Sequence, residues 1–280
     1  MSPLVTTEWL QAQLGSDTLV LFDASFYLPT EQKDPHAEFY RAHIPGARFF
    51  DIATIADLET TLPHMVPTPG RFERLMRELG VSQISRVVFY DQKGINSAPR
   101  GWWMMGLFGH DQTSVLDGGL PAWIREGRPT ETGEPARPEP GDFTATFRTA
   151  RLRGIGDMLD TDELVLDARP SGRFDATAPE PRPGLPSGHM PGARNLPIAG
   201  LMQPDGTLRP PAELRRLFAG AGDDGSRPVI TSCGSGITAT VLTLARAQAG
   251  LPIGAVYDGS WTEWASRPDT IKVDTMKETG

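Results

Sequence analysis

Apolar positions fall into short unbroken runs separated by longer periodic stretches. LVLFDA (19–24), RVVFYD (86–91), SVLDGG (114–119), LVLDAR (164–169), PVITS (228–232) and AVYDG (255–259) are the runs. Each is too short for a helix and lacks the alternation of a half-exposed strand. Both features suit parallel strands covered on both faces. The stretches between them carry helix punctuation. TEWLQAQLG has Thr7 as a candidate N-cap and Gly15 as a stop. PGRFERLMRELG (69–80) opens on proline and closes on glycine. SAPRGWWMMGLFG (97–109), PPAELRRLFAGAG (210–222) and ITATVLTLARAQAG (237–250) complete the helical set. Strand and helix patterns alternate, which predicts an α/β fold with mainly parallel sheets flanked by helices.

The alternation occurs twice. AHIPGAR (42–48) is matched by GHMPGAR (188–194), and LVLFDAS (19–25) by LVLDARP (164–170). RVVFYDQKGINSA (86–98) is matched by PVITSCGSGITAT (228–240), and LDGGLPAW (116–123) by YDGSWTEW (257–264). The matches keep their order at displacements of 141–146 residues. A period this long is a duplicated domain rather than a solenoid. The predicted domains are 1–128 and 143–280. The stretch 129–142, with prolines at 129, 135, 138 and 140, is the predicted linker.

Composition narrows the function. The chain has 280 residues, is 39% hydrophobic and carries a net charge of −8. No basic stripe favours nucleic acid, and no apolar run approaches a membrane span. The start, MSPLVTTEWLQAQLG, reads as an amphipathic helix, not a signal peptide, and cytoplasm is the expected compartment. The single cysteine, Cys233, excludes an internal disulfide and a cysteine-based metal cluster. No metal or cofactor is expected.

Cys233 stands where chemistry concentrates in such sheets, between a strand end and a helix start. Gly234, Ser235 and Gly236 follow it and let backbone amides turn inward. Such a nest stabilises an anion, which at this position is a thiolate or a persulfide. Taken alone, a lone cysteine is as readily a small apolar residue at a strand end. The repeat favours the nucleophile: the matching position of the first half is Asp91, so only one copy carries a thiol. A P-loop requires a lysine after the glycines, and none is there. A cysteine-phosphatase loop requires an arginine where this chain has Ala239.

FYRAHIPGARFFD (39–51) and CGSGITA (233–239) together resemble the rhodanese superfamily in its two-domain sulfurtransferase form. The second motif is similar to the active loop of members that use mercaptopyruvate. The resemblance implies a tandem pair of rhodanese-like domains. The first has lost its cysteine and supplies one wall of the site; the second is catalytic. It also implies a covalent two-step reaction. Cys233 takes sulfur from 3-mercaptopyruvate, releases pyruvate, and passes the outer sulfur to thioredoxin, glutathione or cyanide. Thiosulfate-specific relatives carry basic residues directly after the cysteine, where this chain has Gly234 and Ser235. Thiosulfate sulfurtransfer is the alternative activity, and a non-catalytic persulfide carrier the alternative of another class.

By motif position, the resemblance makes Arg173 (in GRF) and Arg182 (in EPR) the holders of the mercaptopyruvate carboxylate and carbonyl. Read without it, both are solvated loop charges. Ser235 is the expected proton relay, and His64, in LPHMVP, is expected to line the site. The backbone of Gly234, Gly236, Ile237 and Thr238 is expected to form the active loop. The family commonly carries an acid after HIPGARFFDI to complete a Cys–Ser–acid relay, and this chain has Ala53 there. A relay of that kind cannot run through position 53, and Asp51 lies on the other side of an extended segment. His43 and His189 occupy the same place in both halves, so a structural job is what they share. Trp102 and Trp103 are expected to be packing residues, and Arg169 is open to a structural pairing with a carboxylate.

Overall fold

A computed structural model describes residues 1–274. The chain divides into two compact units. One comprises residues 1–59, 66–148 and 203–208; the other comprises 60–65, 149–202 and the residues from 209 on.

The first unit contains β1 (Leu4–Val5), α1 (Thr7–Gln13), β2 (Leu19–Asp23), α2 (Pro35–Arg41) and β3 (Arg48–Phe49). It continues through α3 (Pro69–Glu78), β4 (Arg86–Tyr90), α4 (Ala98–Leu107), β5 (Thr113–Leu116) and α5 (Gly119–Arg125). Its five strands run in the order β1-β5-β4-β2-β3, and every pairing is parallel. The second unit contains β6 (Leu152–Arg153), α6 (Ile155–Leu159), β7 (Leu164–Asp167), α7 (Ser171–Phe174) and β8 (Arg194–Asn195). It closes with α8 (Pro211–Gly220), β9 (Val229–Ser232), α9 (Ala239–Gln248), β10 (Ala255–Tyr257) and α10 (Ser260–Ser266). The order β6-β10-β9-β7-β8, again all parallel, repeats the first.

Every apolar run read from the sequence contains a strand, and each of the five helical stretches contains a helix. The elements the pattern missed are two-residue strands and short helices, which give no periodicity to read. One cap differs. Thr6, not Thr7, caps α1: its backbone is extended and its hydroxyl accepts from the Trp9 N–H at 3.1 Å. Thr7 already has helical geometry, is buried, and donates its hydroxyl to Glu126. The prolines keep 129–142 extended, and it is tied to the first unit by Glu131–His43 and Gly141–Arg77 backbone bonds.

Middle-strand burial explains the continuous apolar runs. Val87 through Tyr90 on β4 and Val229 through Ser232 on β9 are all buried. Trp102 and Trp103 lie buried on α4. In each sheet the chain moves outward in opposite directions from the β2/β4 or β7/β9 pair. Ligand sites in open parallel sheets form at such switch points, beyond the strand ends. Residues 91 and 233 directly follow the middle strands there.

Candidate active site

Cys233 follows β9 and is 2% exposed. Its N–H donates to the Ser260 hydroxyl at 3.2 Å, and its carbonyl accepts from the Trp261 N–H at 3.0 Å. The Gly234 carbonyl accepts from both the N–H and the hydroxyl of Thr262, at 2.9 and 2.6 Å. The turn between β10 and α10 therefore clamps the first two residues of the loop. Gly236 has φ 79°, a left-handed conformation that glycine adopts without a Cβ penalty. Ile237 is buried, and its carbonyl accepts from the N–H and hydroxyl of Thr240, while Thr238 is the N-cap residue of α9.

Three predicted side chains meet on this loop. The Ser235 hydroxyl lies 3.2 Å from His64 Nδ1 and accepts from Arg182 Nη2 at 3.3 Å. His64 reaches it because residues 60–65 belong to the second unit despite their place in the first half of the sequence. It holds φ 62°, unusual for a residue with a Cβ, in a chain segment bent toward the loop. A Cβ added to Gly234 would lie 2.9 Å from Arg173 Nη2 and 3.9 Å from Arg182 Nη1. Both guanidinium groups thus converge on the residue after Cys233. Burial holds Arg182 below the ordinary arginine range, a nearby anionic Cys233 favours its charged form, and Arg173 opposes it.

Arg169 resolves as a structural pair. It is buried, donates to both Asp167 oxygens, to Glu180 and to the Gly188 carbonyl, and lies 4.5 Å over the Trp261 ring. His43 and His189 each bond a backbone carbonyl through Nδ1, of Phe39 and Phe174 respectively, at 2.9 Å. Each ring also stacks on that same phenylalanine, at 4.2 and 3.9 Å. The sequence reading missed Glu180, Ser260 and Thr262. Ser260 was legible in hindsight from the aligned repeats, where Gly119 is its counterpart. Among the described residues, no cluster of three or more His, Cys, Asp or Glu is arranged to hold a metal ion.

The rhodanese-like domain family matches residues 6–126 and again 155–267. The chain belongs to the rhodanese-like family. A relative from Escherichia coli strain K12, 3-mercaptopyruvate sulfurtransferase, is 41% identical over 278 residues, covering 98% of each chain. An Arabidopsis thaliana relative, thiosulfate/3-mercaptopyruvate sulfurtransferase 1, mitochondrial, is 38% identical over 95% of this chain and 77% of its own. The crystal structure of SseA from Escherichia coli, described as a rhodanese fold of 3-mercaptopyruvate sulfotransferases, superposes with a TM-score of 0.84. It is 37% identical, over 93% of this chain and 99% of that one. No helix among the described residues is long and apolar enough to cross a membrane.

Proposed function

We propose that this rhodanese-like enzyme is a 3-mercaptopyruvate sulfurtransferase working through a persulfide on Cys233. The observation that carries the reading is the convergence of two guanidinium groups at Gly234, beside the only thiol, on a loop with no charge of its own. A planar carboxylate matches the guanidinium fork, and docking it there presents the neighbouring sulfur to Cys233. The Cys233 thiolate attacks that sulfur, the carbon–sulfur bond breaks, and its electron pair leaves with the carbon as the enolate of pyruvate. The proton of the donor thiol ends on that carbon. Ser235, bonded to His64 and Arg182, is the group placed to carry it. An external thiol or cyanide then takes the outer sulfur and restores the thiolate. With no second cysteine in the chain, the acceptor comes from outside: thioredoxin, glutathione or cyanide.

In this reading, residues 143–280 are the catalytic domain, 1–128 the domain that has lost the thiol, and 129–142 the link. A thiol that must return to the reduced state suits the cytoplasm, the proposed location, which cell fractionation checks. The names of the Escherichia coli and Arabidopsis relatives support the donor, and the latter keeps thiosulfate as the second reading. Intact mass after incubation with each donor tests both. The expected result is a gain of one sulfur on Cys233 with mercaptopyruvate, followed by many turnovers to pyruvate when an acceptor is added. Faster turnover with thiosulfate supports the second reading; a single sulfur gained without turnover reduces the protein to a carrier.

A further inference from the structure

Glu180 takes part in none of the steps above, yet it is the carboxylate through which the arginines of the site are joined. Its side chain is 2% exposed. Oε1 accepts from Arg169 Nη1 at 2.7 Å and from Arg173 Nε at 3.1 Å, while Oε2 accepts from Arg173 Nη2 at 2.5 Å. Arg169 is already matched by Asp167, with which it is completely buried. Glu180 is therefore not needed to neutralise Arg169, and its charge is spent on Arg173. Asp167, Arg169, Glu180, Arg173 and Arg182 together leave one net positive charge beside Gly234.

We propose that Glu180 is a specificity-determining residue: it holds the arginine pair at one net positive charge and so selects a singly charged donor over a dianionic sulfur oxyanion. The inference rests on the proposed donor reading and deepens it. Glu180 occupies two of the five donors of the Arg173 guanidinium, so the fork still bonds a carboxylate. What it removes is the second uncompensated positive charge. A keto acid with one carboxylate needs one such charge; thiosulfate brings two negative charges and gains most where two positive charges meet it. In a water-depleted site this difference is far larger than in bulk solvent. The uncharged loop, Gly234 and Ser235, adds no cation to offset Glu180.

The test is the ratio of kcat/KM for thiosulfate to kcat/KM for mercaptopyruvate, with cyanide as acceptor, in the full chain. A ratio is independent of the fraction of active protein. Glu180→Gln is expected to move it toward thiosulfate by about tenfold, chiefly through KM. Glu180→Asp, which keeps the charge, should leave it at the wild-type value. A Glu180→Gln ratio that is unchanged, or that moves toward mercaptopyruvate, overturns the inference. Arg182→Gln provides the opposite arm if Glu180→Gln fails to fold: removing a positive charge should depress thiosulfate use more than mercaptopyruvate use, and an equal fall for both overturns the inference. Calorimetry in a Cys233→Ser background separates this from the donor reading. There, Glu180→Gln should strengthen sulfate binding relative to pyruvate. If the wild type makes no pyruvate, the donor reading fails while the sulfate-to-pyruvate comparison still judges the charge count.

Discussion

The loop after β4 and the loop after β9 share their backbone and differ in what fills it. Gly94 and Gly236, three residues past Asp91 and Cys233 respectively, both have positive φ, 108° and 79°. The residue that opens the loop accepts at its carbonyl from Leu120 N–H in one unit and Trp261 N–H in the other, both at 3.0 Å. In the first unit that residue is Asp91, and its carboxylate is held by main-chain amides. Oδ1 accepts from Lys93 N–H, and Oδ2 accepts from the N–H groups of Asn96, Ser97 and Ala98, at 2.8–2.9 Å. These amides lead into α4, whose N-terminal dipole favours negative charge. The turn is thus an anion cradle in its own right. The first unit fills it with the Asp91 carboxylate; at the matching position the second unit carries Cys233. By displacement the counterparts of these amides are Ser235, Thr238, Ala239 and Thr240, and the last differs from Ala98 in donating its N–H to a main-chain carbonyl, that of Ile237.

The strand beside each loop differs in the same sense. Asp23 and Asp167 end β2 and β7, and both are fully buried. Asp167 is matched by Arg169, which leads on to Glu180 and Arg173. Asp23 is held by Ser25 and Gln92, which carry no charge. Burial pushes its carboxyl up to about 6, with the Ser25 and Gln92 bonds opposing the rise. The thiol-bearing unit has a charged network where the other has two buried acids, Asp23 and Asp91, the second of which adds to the rise of the first. Duplication kept the frame, and the two copies diverged in their polar fillings.

The largest expected effect comes from removing the sulfur. Cys233→Ser should abolish both mass gain and pyruvate release while the thermal unfolding midpoint stays near wild type, because the two side chains are close in volume. Turnover near the wild-type rate would remove Cys233 from the chemistry. The next concerns Asp23. Its folded carboxyl titrates near 6 and its unfolded one near 3.8, so the folded state binds the proton more tightly. Stability from this group is therefore present below the unfolded value and lost as pH rises through 6. Relative to Asp23→Asn, the wild type should gain about 2 kcal/mol between pH 7 and pH 4. Parallel urea denaturation series would show it, and parallel pH profiles would contradict it.

Asp91→Asn should cost about 2 kcal/mol, since an amide cannot accept from all four N–H groups that the carboxylate serves. The loss should appear in denaturant midpoints; mercaptopyruvate turnover per folded molecule should not change. A fall in turnover with an intact fold would show that the first cradle contributes to the chemistry. The smallest effect separates the two clamps. Ser260 holds φ 49° where its counterpart Gly119 holds 56°, so the second unit keeps a Cβ in a left-handed position. Its hydroxyl accepts from Cys233 N–H and donates to the Tyr257 carbonyl. Ser260→Gly relieves the strain and loses those bonds, so its stability should stay within about 1 kcal/mol of wild type. Ser260→Ala keeps the strain and loses the same bonds, and should be the less stable of the two by chemical denaturation. The reverse order would mean that the left-handed turn costs nothing.

Much of this architecture was legible in the linear chain. Continuous apolar runs, helix-ending glycines and a repeat of fixed displacement were enough for two parallel α/β units, because each reports local backbone preference or burial. Cys233, Ser235 and the arginine pair were legible because they stand in motifs similar to the rhodanese family. Glu180 was not: an acid two residues before Arg182 in EPRPG reads as a solvated charge until folding buries it against both Arg169 and Arg173. Nor did the sequence show that a pair of threonines, Thr231 and Thr243, does in the second unit what Phe89 packed on Gly101 does in the first. A ring against a missing side chain and two hydroxyls bonded to each other fill one space in chemically unrelated ways.

The order of residues alone determined the duplicated frame, the position of the thiol at the end of a middle strand, and the glycine that turns the loop. These follow from short-range sterics and from burial along one strand, which neighbouring residues report. Only the tertiary structure decided which charges survive beside the thiol. Ion pairing acts through space, and Asp167, Glu180 and the three arginines cancel or reinforce one another by distances that their spacing along the chain does not encode.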